Sequence, residues 1–108
     1  MHIQIVNFNL KDMSHADFMR ACDEQFAPAF SNIAGLISKM WLCDPATNTY
    51  GGVYTWEDRD AMLRYQETEL FQNVVSSPHF ANLTAQDYSL MEGPSRVTNG
   101  IPSSPARR

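Results

Sequence analysis

Clustered positive charge is missing from this 108-residue chain: eight Lys and Arg stand against twelve Asp and Glu, the net charge is −4, and the one basic pair is Arg107-Arg108. Neutralising nucleic-acid phosphates takes a basic stripe, so no nucleic-acid partner is expected. No apolar run approaches the roughly 20 residues that span a bilayer. The opening Met1-His2-Ile3-Gln4-Ile5-Val6-Asn7 has neither the basic start nor the apolar stretch of a secretory leader. The expectation is a cytoplasmic protein without a membrane partner. Cysteine is scarce: Cys22 and Cys43 fit no zinc or redox spacing, which points to two reduced, mostly buried thiols. His2, His15 and His79 show no ligand spacing, so no metal is expected. A phosphate-cradling glycine loop is lacking too, because Gly51-Gly52 falls inside a strand pattern and does not open a helix. No flavin or nicotinamide cofactor is therefore expected.

What is present fits one globular domain. Hydrophobic residues make up 44% and charged residues 19% of the chain, enough to bury roughly two-thirds of the unfolded surface. His2 to Asn9 alternates as a first strand, with Ile3, Ile5 and Asn7 on one side and Gln4, Val6 and Phe8 on the other. Ser14, with Asp17 three positions on, signals a helix start. Met19, Cys22, Phe26, Ala29 and Ile33 then recur at helical spacing. Pro28 cannot donate to the carbonyl of Glu24, which predicts a kink or an ending near Ala27 and a looser turn up to Gly35. Glu57-Asp58-Arg59-Asp60 opens a second helical region with acids at its positive end. Its apolar stripe loses phase after Tyr65, so two short helices are expected, the second capped by Thr68 and ended before Pro78. Leu83 to Met91 reads as a last strand. Residues 93–108 are rich in Pro, Ser, Gly and Asn and read as a tail following a single domain of residues 1–92.

The segment from Gly35 to Asp58 carries the most information. Leu36 to Cys43 is an apolar run, Asp44-Pro45-Ala46-Thr47-Asn48-Thr49 supplies turn formers, and Tyr50 to Trp56 returns as an aromatic strand. A symmetric loop sets Trp41 across from Gly52, Lys39 across from Tyr54 and Ile37 across from Trp56, all on one side of the sheet. Gly52 then leaves an opening beside the Trp41 indole, and Lys39 and Tyr54 bring polar atoms to an aromatic wall. One reading is a recess for a flat small molecule. The other is a hairpin whose aromatics are core and whose lysine reaches out to water.

The element order is β-α-β-β-α-β, an α+β ferredoxin-like antiparallel sheet with its helices on one face. Strands with apolar groups on both sides leave the second face needing a cover, and a twofold pairing of two copies supplies one. A homodimer is the expected assembly.

Several of these residues resemble a known family. Gly35-Leu36, Lys39-Met40-Trp41, Asp44-Pro45, Gly51-Gly52-Val53-Tyr54, Trp56-Glu57-Asp58 and the run Leu83 to Thr98 are similar to the YdhR-like monooxygenases of the dimeric α+β barrel superfamily. Ser77-Pro78-His79-Phe80 is similar to a Pro-His-Phe signature of the antibiotic-biosynthesis monooxygenase relatives. The resemblance implies a homodimeric barrel with a ligand cavity between sheet and helices in each subunit. It also implies a cofactor-independent monooxygenase that acts with molecular oxygen on a small aromatic or polyketide-like substrate. Relatives on this scaffold also isomerise, cyclise or cleave other substrates, so an isomerase, cyclase or lyase and a non-catalytic binding dimer stay open as alternatives.

Oxygen chemistry without a cofactor needs a base and fixed donors in a dry pocket. His79 is the base candidate by its intrinsic pKa. Asn7, Trp41 and Tyr54 are the candidate donors to an oxyanion, and Lys39 could offset its charge. Gly52, Trp56, Tyr65 and Met62 complete the candidate substrate contacts. Each has a plainer role: a capping turn for His79, a strand end for Asn7, and core packing for Trp41, Tyr54, Tyr65 and Met62.

Overall fold

The computed structural model describes residues 1–101. Strands β1 (His2–Leu10), β2 (Leu36–Asp44), β3 (Thr49–Trp56) and β4 (Phe80–Ser89) form one antiparallel sheet in the order β2-β3-β1-β4. Between β1 and β2 run α1 (His15–Ala21), a π-type turn (Cys22–Phe26) and α2 (Ala27–Phe30); between β3 and β4 run α3 (Arg59–Gln66) and α4 (Glu69–Ser76). A short helix, α5 (Glu92–Val97), follows β4. The helices between strands pack on one face, which is the expected ferredoxin-like α+β arrangement.

The alternation of β1 decides which face becomes core. His2, Gln4, Val6, Phe8 and Leu10 are buried while the residues between them are half-exposed, as a period of two requires. Trp56, Tyr54 and Tyr50 of β3 lie across from His2, Gln4 and Phe8. Phe18, Phe30, Met62 and Tyr65 come down on them from the helices. Each such side chain contributes about 2–3 kcal/mol on full burial. Two polar groups on this face are satisfied: Trp56 Nε1–H donates to Gln4 Oε1 at 3.2 Å, and His2 Nε2 lies 2.6 Å from Asp87 Oδ2.

The helix starts follow from local chemistry. Ser14 Oγ accepts from the Asp17 N–H at 3.1 Å, Asp58 Oδ1 from Ala61 at 2.8 Å and Thr68 Oγ1 from Phe71 at 3.3 Å. Such caps are worth about 1 kcal/mol each.

Five local expectations need correction. The first helix runs through Pro28 to Phe30, because a π-type turn in which the Ala27 N–H donates to the Cys22 carbonyl absorbs the irregularity. Phe18 and Phe30 are buried in place of Met19 and Ala29. Leu36, not Ile37, faces Trp56, since Ile37 is the extra residue of a bulge between Leu36 and Ser38. The last strand begins at Phe80 and ends at Ser89. Cys43, on edge strand β2, is exposed, whereas Cys22 is buried.

Residues 92–97, on either side of the expected domain end, form α5. The Met1 ammonium lies 2.7 Å from Glu92 Oε2, and Arg96 Nη2 donates to Glu92 Oε1 at 2.9 Å. The Met1 hydrogen bond, before any other cause, holds the Glu92 carboxyl below the usual carboxylate range. The rest of the expected tail, residues 102–108, lies outside the described residues.

Candidate functional site

Lys39 sits in the middle of β2, across from Tyr54, and Trp41 two residues on lies across from Gly52. Gly52 in turn faces Val6, so cross-strand neighbours carry Lys39 and Trp41 to the helix-covered side of the sheet. Phe30, the last residue of α2, closes over them. The Lys39 Nζ lies 3.5 Å from the Trp41 ring centroid, 3.6 Å from Phe30 and 4.5 Å from Tyr54. Phe30 and Trp41 meet nearly edge to face, 5.6 Å apart at 78°. The amine is thus held in a three-ring cage.

Gly52 makes room for the amine's own stem. A Cβ at that position would stand 2.8 Å from Lys39 Cε and 3.2 Å from the Met40 carbonyl oxygen. The opening expected beside Trp41 is therefore occupied by lysine methylenes.

Two opposing effects set the charge state of Lys39. Ring faces attract a cation, by roughly 0.5–2 kcal/mol each. Loss of water opposes the charge: burial lowers the Lys39 pKa to about 7, with Cys22 acting the other way. Among the described residues no carboxylate forms an ion pair with it. Near neutral pH the cage therefore holds a mixture of free amine and ammonium. Cys22 is itself raised, by burial first, with Lys39 lowering and Asp23 raising it further. Burial, with Tyr65 beside it, pushes the Tyr54 hydroxyl far above the phenol range, and burial takes Tyr65 up to about 12. Both phenols are donors, not bases, at physiological pH.

The amine borders a cavity of about 30 Å³, whose walls include Val6, Phe8, Phe18, Phe80 and Val74. A larger cavity of about 210 Å³ shares Phe18, Trp41 and Gly51 with it and reaches Met19, Cys22 and Cys43 beneath the π-type turn. The larger space, which Lys39 does not line, has room for a small apolar ring, and the amine stands in the smaller one across the walls the two share, where it can hold or move a proton at Nζ.

The structure brings Lys39, Trp41, Gly52 and Tyr54 together. Trp56, Met62 and Tyr65 lie behind them in the core, at 0%, 1% and 3% exposure. The Trp56 ring stacks parallel to Tyr54 at 6.0 Å and meets Tyr65 at 5.2 Å, so these residues brace the cage wall. Asn7 lies on the opposite face, across from Gly51 and Thr84, where its Nδ2 donates to the Tyr50 carbonyl at 3.5 Å. His79 lies in the turn before β4 with Nδ1 3.0 Å from the Lys11 carbonyl; its neighbour Phe80 reaches the cavity instead. The sequence reading missed Phe30 and Cys22 as neighbours of Lys39. An aromatic two residues past Pro28 was the available signal for Phe30.

Fold and cage define a small α+β domain with an apolar cavity between sheet and helices. Residues 3–101 match the family model described as "Putative mono-oxygenase ydhR". The chain belongs to this YdhR monooxygenase family. Solved structures of low identity share the fold. One is described as a "putative antibiotic biosynthesis monooxygenase" from Deinococcus radiodurans, with 18% identity, a TM-score of 0.69, and coverage of 85% of this chain and 94% of that one. SnoaB, a cofactor-independent oxygenase from Streptomyces nogalater, is similar at 18% identity and TM-score 0.65, over 84% of this chain and 94% of its own. The haem degrader MhuD from Mycobacterium tuberculosis is similar at 13% identity and TM-score 0.66, over 84% and 96% of the two chains. A search of curated proteins finds no significant match.

Proposed function

We propose that this protein is a cofactor-independent monooxygenase acting on a small phenolic or polyketide-like aromatic, with Lys39 as its general base. The observation that carries the reading is the Lys39 amine, lowered by burial to about 7 and enclosed by Trp41, Phe30 and Tyr54. Free amine at neutral pH takes a phenolic or activated carbon proton, and the ammonium so formed pairs with the substrate anion in a dry site. That anion supplies the electrons to oxygen. One oxygen atom is retained as a carbonyl and the other leaves as water. Tyr54, protonated throughout, is a neutral donor in the cage wall, its ring 4.5 Å from the amine.

Cavity size supports a compact substrate. An apolar cavity of about 150 Å³ holds benzene, so the neighbouring cavity of about 210 Å³, joined to the amine's own small space through Phe18, Trp41 and Gly51, suits one substituted ring. Neither cavity is lined by a histidine that could face a haem iron, and a base in an aromatic cage suits a substrate that carries its own reducing electrons.

The working unit is a homodimer joined through the reverse face of the sheet. Met40 and Tyr88 stand there 61% and 53% exposed, beside Val53 and Ile3 respectively. A face this apolar calls for a cover, and a twofold axis lets it cover itself.

Oxygen uptake with substituted hydroquinones and anthrones tests the reaction. The expected result is one oxygen consumed per substrate, reduced at least ~100-fold in Lys39→Met, in line with the loss of a general base. Substrate conversion without oxygen uptake would replace the oxygenase by an isomerase or cyclase. Binding without conversion would leave a carrier.

A further inference from the structure

We propose that Lys39 is also an amine nucleophile that captures small aromatic aldehydes in its cage as an imine. The inference uses the same cavity as the oxygenase reading but requires no oxygen chemistry. Two geometric facts set this lysine apart. Its Nζ is held by ring faces alone, at 3.5, 3.6 and 4.5 Å, and among the described residues no carboxylate pairs with it. Its stem is seated over Gly52, whose missing Cβ would lie 2.8 Å from Cε, while the residue as a whole is only partly buried. Capture requires a carbonyl carbon to reach, through the space of about 30 Å³ that the amine borders, a nitrogen whose position is already fixed.

The step balances without an oxidant or reductant. The nitrogen lone pair attacks the carbonyl carbon, and the C=O π electrons move to oxygen. That oxygen then leaves as water, carrying both amine hydrogens and leaving a C=N bond. The imine nitrogen stands where Nζ stood. When protonated it is again a cation, and the rings that attract an ammonium attract it in turn. The aldehyde's own ring is assigned to the neighbouring cavity of about 210 Å³, which Lys39 does not itself line but which shares Phe18, Trp41 and Gly51 with the space of about 30 Å³ that the amine borders. Aliphatic and hydroxylated aldehydes gain little from such walls, which makes aromatic aldehydes the favoured class. Desolvated lysines are the usual amine nucleophiles of proteins because the free base is present at neutral pH. The lowering of Lys39 to about 7 agrees.

The chain supplies its own control. It has two lysines, Lys11 and Lys39, and Lys11 is exposed in the β1–α1 connection. The full chain is incubated with benzaldehyde at pH 7, reduced with sodium cyanoborohydride, and read by intact mass and peptide mapping. One adduct is expected, on Lys39, in at least ~10-fold excess over Lys11 and over the Met1 amine. The preference should vanish in urea, and glyceraldehyde should label Lys39 at least ~10-fold less than benzaldehyde. Lys39→Arg, which keeps a cation among the rings but forms no imine under these conditions, should lose the adduct. Equal labelling of the two lysines, labelling of Met1 alone, or a preference that survives urea would overturn the proposal. The ratio within the native protein decides even if Lys39→Arg fails to fold. Because the readout is mass, a negative oxygen-uptake result leaves this one standing, and the reverse holds too.

Discussion

Replacing Lys39 by methionine keeps an unbranched stem over Gly52 and removes the amine, so it isolates what burying that amine costs the fold. The folded-state pKa is about 7 against 10.5 for the free side chain. Between those values the unfolded chain holds a proton that the folded chain has released, and stability then rises with pH. Below 7 both states hold the proton, and the wild type is at its weakest relative to the variant. Integrating from pH 6 to pH 9 gives the wild type a gain of about 2–3 kcal/mol over Lys39→Met. The range stops at pH 9 because Tyr54 and Tyr65, both held above their ordinary values, lose stability with the opposite sign once the unfolded phenols ionise. Cys22, also raised, acts in that same opposite direction. It is present in both proteins and cancels in the difference to first order.

The assay is urea unfolding followed by far-ultraviolet circular dichroism, with chain concentration fixed at each pH because a dimer's stability depends on it. The expected outcome is a difference between the two proteins that shifts by about 2–3 kcal/mol in favour of wild type as pH rises. A difference constant to within about 0.5 kcal/mol would show that Lys39 titrates alike in both states. In that case the amine is solvated, and its role as a neutral-pH base fails with it.

Gly52→Ala places a methyl group against Lys39 Cε at 2.8 Å and the Met40 carbonyl at 3.2 Å. It should push the amine out of the cage, lower turnover at least ~10-fold and cost about 1–3 kcal/mol of stability, checked by kinetics and urea titration on one preparation. Met40→Asp puts a carboxylate in the middle of the reverse face and should convert a species of twice 12.2 kDa to one of 12.2 kDa in light scattering; a monomeric wild type would remove the self-covering argument. Trp41→Ala opens one wall of the cage and should cut turnover at least ~10-fold, whereas His79→Ala, which loses one contact to the Lys11 carbonyl, should keep turnover and cost about 1 kcal/mol. If His79→Ala abolishes turnover in a folded protein, the base has been misassigned.

How much of this was legible in the sequence follows from the range of the forces involved. A strand's two faces alternate by geometry, so the pairing of Lys39 with Tyr54 and of Trp41 with Gly52 could be counted outward from the turn. That count failed only at Ile37, where a bulge adds a residue. Helix starts at Ser14 and Thr68 were readable because a cap is a contact across three residues. Long-range choices were not readable. Asn7 and Val6 are neighbours with similar claims on either face, and only the seating of the helices decides that Val6 meets the cavity. His79 carries the right intrinsic pKa for a base, but Phe80 takes the inward position beside it. The lysine was read as a charge offset because a depressed pKa comes from burial, which a sequence does not display.

The cage also depends on a fault in the first helix. Along an uninterrupted α-helix at about 100° per residue, Phe30 would sit about 80° away from Cys22, and Ala29 would be the better aligned. Counting from Cys22 in this way is what places Ala29 in the expected stripe. The π-type turn Cys22–Phe26, closed by the Ala27 N–H on the Cys22 carbonyl, accommodates one extra residue per turn and so takes back about 100°. Phe30 then returns to within about 20° of Cys22, buried at 4%, and Ala29 turns outward. Pro28, which lacks the donor a regular helix would use, sits at the start of the re-phased segment, where that donor is not needed. The same slip in phase that spoils a simple helical reading thus delivers the ring that lies 3.6 Å from the Lys39 amine. A regular helix here would leave that amine without its third ring and more open to water on its helix side, which moves its pKa back toward that of an ordinary lysine.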